Sequence, residues 1–253
     1  MNLEPFAVGR SALHRLDPAC RVVGAAFFSA VVAVLQQPAA LILALAAALV
    51  LVGAARLPLR PLSVRLGSAA AFVLMLWIVL PLSDDGPVLW QVGPVAVHRD
   101  GLALAGRISL KTAAILLAFT ALVATMSVAT LGHALERIGL TPKLTFLLLM
   151  CYRYLFVLEQ EYQRLARATR IRGFRPGTNR HTYRTYAYMV GMLFVRAAAR
   201  AQRVHQAMCC RGFDGRFRSI QALNAPGSAE TVFCLLMVLT AAAMILLEAG
   251  PAL

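Results

Sequence analysis

The chain has 253 residues, 60% of them hydrophobic, with a mean hydropathy of +0.71 and a net charge of +14 from 25 basic and 11 acidic side chains. Soluble domains are about 45–50% apolar. The excess here sits in blocks long enough to matter to a bilayer, which excludes an ordinary soluble fold and weakens a nucleic-acid reading of the charge. Cys20, Cys151, Cys209, Cys210 and Cys234 form no C-x-x-C, and the five histidines show no H-x-x-x-H spacing, so neither a disulfide framework nor a metal site is expected in this chain.

Residues 1–16 read as a loop or a short interfacial segment. Leu16-Asp17-Pro18 has the form of a helix start, since Asp17 can accept from free N–H groups and Pro18 suits the first helical position. A first span over about 19–36 follows, then a Gln36-Gln37-Pro38 turn and a second span over 38–54. Both are short against the ~20 residues of a perpendicular helix, so a single re-entrant hairpin is the alternative. The third span is Leu66–Leu82. Ser83–Gly106 reads as a Pro/Gly-bearing loop carrying Asp84, Asp85 and Asp100. The fourth span is about Arg107–Val128, with Lys111 within a turn of its start and placed to snorkel. A last span covers about 229–248.

Between the last two spans the character changes. Residues 129–227 carry 16 of the 25 basic side chains and only four acids, Glu136, Glu159, Glu161 and Asp214. Five spans put this region, the N-terminus and the 55–65 loop on one side, which then holds 22 of the 25 basic residues and should be cytoplasmic. The expected organisation is transmembrane helices over 1–128, a cytoplasmic coupling domain over 129–227 and a C-terminal transmembrane helix over 228–253. The fold class is an all-α membrane protein, with about five transmembrane helices plus a cytoplasmic domain of long amphipathic coupling helices.

Within the basic region, Thr141-Pro142 predicts a helix running to about Ile171, with Leu155, Leu158, Tyr162 and Leu165 at spacings of three or four. A second amphipathic helix ends near Cys210, with Leu193, Ala197, Ala201, Val204 and Met208 in one stripe and Arg196, Arg200 and Arg203 in another. The two helices end alike. Gln163 to Phe174 aligns with Gln202 to Phe213 at a constant offset of 39, matching at Gln, Arg, Ala, Arg, Gly and Phe. Glycine just past a helix can take the left-handed conformation that stops it, and an arginine before it sits where the helix dipole favours a cation. Arg172 and Arg211 are therefore expected at two helix tips, able to fork onto a partner's carboxylates, with Phe174 and Phe213 as apolar anchors. A single such end would read as an ordinary cap; the repeat favours docking.

Absences narrow the class. The sequence holds no G-x-x-x-x-G-K-[ST]. Gly101 and Gly106 have the spacing but are followed by Arg107-Ile108. The centres of the spans carry no Asp, Glu or His of the kind that ion-coupled carriers use at depth. No paired carboxylates, G-x-S-x-G or zinc-protease motif appears, so the chain is not expected to be an enzyme.

Val204 to Arg216, reading Val-His-Gln-Ala-Met-Cys-Cys-Arg-Gly-Phe-Asp-Gly-Arg, resembles the signature of the CbiQ branch of the EcfT family, the T components of energy-coupling factor transporters. Leu16-Asp17-Pro18 and Arg172-Gly173 are also typical, and the likeness covers nearly the whole chain in order and spacing. The resemblance implies a transmembrane coupling component of a cobalt importer in a bacterial inner membrane. It implies a pair of ABC ATPases that use ATP, and a separate membrane subunit that binds the metal. It leaves no cofactor and no nucleic acid to this chain. It further implies that Ile171-Arg172-Gly173 and Cys210-Arg211-Gly212 insert into grooves on the ATPases, with Phe174, Phe213 and Asp214 in support. Both triplets lack the alanine found in many members, which bears on the fine packing only. A nickel importer and a self-contained carrier are the alternatives.

Overall fold

A computed structural model describes residues 16–57, 59–83, 88–92, 95–215 and 227–249. The expectations for residues 1–15, Asp84, Asp85, Arg216 and Arg218 lie outside these. Among the described residues the helices are α1 (Pro18–Val34), α2 (Pro38–Ala55), α3 (Leu59–Ser83), α4 (Arg99–Leu122), α5 (Val128–Ile138), α6 (Pro142–Ile171), α7 (Arg180–Cys210) and α8 (Ser228–Ala249). They belong to two compact units, one of residues 1–138 and 223–253, the other of residues 139–222. This is an all-α membrane protein. α2, α4, α8 and the 62–82 part of α3 are long and apolar enough to cross a bilayer, and α1 is a shorter apolar helix of 17 residues, about 25 Å.

The first unit is built on α2 and α4, which pack against each other along alanines. Ala40, Ala44 and Ala48 on α2 and Ala114, Ala118 and Ala121 on α4 are almost fully buried. Small side chains at that spacing let two backbones approach closely, which is how helices associate where lipid removes the hydrophobic drive between them. Phe28 and Val32 of α1 and Phe233, Met237 and Met244 of α8 complete this core. The opposite faces of α3 and α8 remain exposed as Phe72, Leu74, Ile78, Leu235, Leu239 and Leu246. In a membrane protein such apolar faces suit lipid or a neighbouring membrane subunit.

The helix starts follow local chemistry. Asp17 accepts from the Ala19 amide at 2.9 Å and Pro18 opens α1, as its sequence requires. Asp17 also pairs with Arg137 of α5, so the same carboxylate caps one helix and ties down another. At the other end of α1, the Glu248 carboxylate of α8 accepts from the Gln36 and Gln37 amides at 3.0 and 2.9 Å.

Three expectations are corrected. The 83–106 segment is not all loop. Val88–Val92 (β1) and Val95–His98 (β2) pair antiparallel, with Gln91 opposite Ala96 and Val92 opposite Val95. The fourth span begins at Arg99 rather than Arg107 and stops at Leu122 rather than Val128. Asp100 in its first turn suits the positive end of the helix, and Ser127 ends the interruption by accepting from the Thr130 amide at 3.1 Å, which starts α5 as a separate helix. Lys111 therefore lies deep within α4. Its ammonium donates to the Ala33 carbonyl at the end of α1, at 2.8 Å, instead of reaching out from a helix start.

Gly101 and Gly106 are helical residues of α4. A Cβ at Gly101 would stand 2.6 Å from the Leu80 carbonyl oxygen and 2.9 Å from the Pro81 Cα of α3. These are backbone atoms and cannot swing aside, so Gly101→Ala must push α3 from α4. Overpacking of this kind costs about 1–3 kcal/mol. The expected result is a lower thermal midpoint in detergent for Gly101→Ala and an unchanged one for Gly106→Ala, where a Cβ meets nothing within 4 Å. Equal midpoints would contradict the close approach.

Candidate functional site: two helix tips

The second unit is a pair of long helices, α6 of 30 residues and α7 of 31. Pro142 opens α6 at the predicted place, although the Thr141 side chain makes no capping bond. The turn before α7 is closed by Thr182, whose hydroxyl accepts from the Gly177 amide at 3.2 Å and donates to Asn179 Oδ1 at 3.1 Å.

The pair is joined through Glu161. Its carboxylate sits 2.8 Å from Arg196 Nη1, 3.6 Å from Arg200 Nη2 and 3.5 Å from Arg164 Nη1, so one acid of α6 serves two arginines of α7 and one of its own helix. Sequence reading placed Arg196 and Arg200 in a stripe with Arg203 without seeing the acid that Arg196 and Arg200 share. The signal was that 129–227 holds four acids in all, of which Glu161 lies three residues before Arg164. Beside it runs an apolar groove of about 220 Å³, lined by Tyr154, Val157, Leu158, Leu193, Ala197 and Ala201. Glu161 itself is only 14% exposed, its arginines 39–65%. Networked but wet pairs of this kind are worth little singly, so removing their shared acid is expected to cost about 1–2 kcal/mol. Glu161→Gln should loosen the α6–α7 hairpin, seen as faster amide hydrogen exchange in both helices. Exchange identical to that of the parent chain would show the network to be incidental.

The two C-termini are the same structure built twice. In α6, Arg172 is the last near-helical residue, at φ −80°. Gly173 turns left-handed at φ +83°, its amide bonding the Arg170 carbonyl at 3.0 Å, and the Phe174 amide reaches back to Thr169 at 3.1 Å. In α7, Arg211 stands at φ −95°. Gly212 turns at φ +79° with its amide on Cys209 at 3.0 Å, and the Phe213 amide reaches Met208 at 3.1 Å. Both sets of bonds are the Schellman pattern, which needs a left-handed residue after the cap and so selects glycine there. The 39-residue sequence offset thus becomes one repeated backbone motif.

The motif fixes what each tip presents. Ile171 is 87% exposed, and Arg172, Gly173, Cys210, Arg211 and Gly212 are exposed as well. Among the described residues neither Arg172 nor Arg211 has an ion-pair partner, whereas Arg164, Arg196 and Arg200 are engaged by Glu161. Phe174 is half-buried, its ring edge-on to Tyr186 at 5.8 Å and near His181 at 6.1 Å, so it braces the α6 tip against the start of α7. Phe213 is half-buried and Asp214 exposed. Chemically, each tip offers a planar cation at the negative end of a long helix dipole, beside glycine backbone that a partner surface can approach closely.

The family model for the cobalt transport protein CbiQ matches residues 9–222. The chain is 29% identical over 243 residues to the cobalt transport protein CbiQ of Rhodobacter capsulatus, covering 93% of each. It is 25% identical over 246 residues to the energy-coupling factor transporter transmembrane protein EcfT of Acidaminococcus fermentans, covering 91% of each. A protein of the same description from Bacillus subtilis is 24% identical, over 85% of each chain.

Proposed function

The chain belongs to the CbiQ family of membrane transporter components, and from that membership we propose that it is the coupling subunit of an ATP-driven cobalt importer. In this reading a pair of ABC ATPases docks on the tips of α6 and α7. A separate membrane subunit binds the metal, and this chain passes the motion of the first to the second without catalysing anything itself. ATP is consumed by the partners.

The observation that carries the reading is the twin Schellman tip. The left-handed stop itself needs only the glycine, and beyond what the dipole favours, both tips expose an arginine with no acid of its own among the described residues. Exposed guanidiniums at rigid helix ends suit forked bonds to carboxylates on another chain. The cobalt transport proteins among this chain's relatives favour cobalt over nickel. The excess of basic residues in 129–227 favours a cytoplasmic second unit.

The experiment is co-expression of the chain with an ABC ATPase and a metal-binding membrane subunit from its own genome, followed by reconstitution into vesicles. ATP-dependent uptake of cobalt that needs all components supports the proposal, and preferential uptake of nickel moves the substrate but keeps the role. Uptake by this chain alone, without ATPase, would make it a self-contained carrier. Thiol labelling of a cysteine placed at 180 reports the orientation in the same vesicles; protection from the extracellular face is expected, and labelling there would reverse the topology.

A further inference from the structure

We infer that His205 and Cys209 form a two-donor binding site for a divalent transition-metal ion, cobalt, nickel or zinc, on the last turns of α7. Sequence reading sought histidine pairs and C-x-x-C and so passed over a mixed pair. The residues are four apart, which sets them on one face of the helix, one turn above the other. The same spacing lets the two histidines of H-E-x-x-H chelate one zinc.

The geometry is that of a chelate already closed. Cys209 Sγ lies 3.7 Å from His205 Nε2. Metal–nitrogen and metal–sulfur bonds of about 2.0 and 2.3 Å meeting at a tetrahedral angle separate the donors by about 3.5 Å. An ion can therefore enter with almost no movement of either side chain. Without it the two groups share a thiol–imidazole hydrogen bond. Both residues are exposed, which leaves the remaining coordination positions to water or to a donor from elsewhere.

The C-terminal end of α7 carries the negative pole of a 31-residue helix. Arg211, two residues past Cys209, already places one cation at that pole, so the spacing of the two donors, not the dipole, carries the site. On binding, the thiol gives up its proton to solvent and the sulfur binds as thiolate, so the site gains one net positive charge. No redox step is involved. The ion would lie within two turns of Arg211. On the proposed orientation this is the compartment where the imported ion accumulates, and that clause alone rests on the importer reading.

The test uses the full-length chain in detergent, stripped of metal and kept under reductant, titrated with cobalt. A thiolate-to-cobalt charge-transfer band saturating at one ion per chain is expected. It should be lost in His205→Ala and in Cys209→Ser and kept in Cys151→Ser. A second readout is alkylation followed by mass spectrometry, where one equivalent of cobalt should slow modification of Cys209 and leave that of Cys151 unchanged. Absence of the band from the parent chain, its persistence in both variants, or unprotected Cys209 would overturn the site. None of these outcomes depends on an ATPase, so the coupling role stands or falls separately.

Discussion

Replacing Arg172 and Arg211 together by alanine is expected to abolish co-purification of the ATPases and metal uptake, while the chain itself stays folded. If each guanidinium meets a carboxylate in a partner groove, truncation strands a partly buried acid. The loss is then about 2–5 kcal/mol for each contact. Since about 1.4 kcal/mol is tenfold in affinity, each single variant should weaken assembly by more than tenfold. Lysine should rescue only partly, because it keeps the charge and loses the fork. Folding should be spared: both side chains are exposed, and the Schellman bonds run through backbone amides of Gly173, Phe174, Gly212 and Phe213. Arg180→Ala, at the other end of α7, is the control, since exposed charges contribute about 0–1 kcal/mol. A double variant that assembles and transports normally would reduce the two arginines to helix caps.

The second large effect is expected at Arg21, and its sign depends on the replacement. This arginine is 3% exposed inside the first unit. Its Nη2 donates to Thr125, whose hydroxyl in turn donates to the Ala121 carbonyl at 2.9 Å, while its Nε is buried without a partner. Among the described residues no carboxylate pairs with it. Burying an ion costs several kcal/mol, and one neutral hydroxyl does not return that. Arg21→Met keeps most of the volume and discards the charge, so the thermal midpoint should hold or rise. Arg21→Ala discards the volume too and leaves a cavity beside Thr125, which costs about 2–5 kcal/mol. A methionine variant clearly less stable than the parent chain would mean that the charge itself holds α1 to the end of α4.

Much of this was legible because it is local. Asp17 capping before Pro18, Pro142 at the first position of α6, and apolar blocks of bilayer length determine where α1, α2, α6 and α8 lie. The repeated Arg-Gly-Phe read directly as two left-handed helix stops. What escaped was tertiary or weakly patterned. The hairpin at 88–98 is two short valine-rich runs inside a segment punctuated by Gly86-Pro87 and Gly93-Pro94, which drown its alternation. The break between α4 and α5 rests on one serine, Ser127, acting across a three-residue reach. Glu161 and Lys111 find their partners 35 to 78 residues away, on other helices. No period in the sequence encodes such pairings. The tips themselves were found by repetition. Their lack of internal acid partners required coordinates.

The most direct measurement is site-specific crosslinking from the tips. A photoreactive residue at position 172 or 211, in the chain co-expressed with its ATPases and metal-binding subunit, should capture an ATPase subunit in high yield, whereas the same residue at 180 should not. Capture of no ATPase from either tip, in complexes that still transport, would contradict the account.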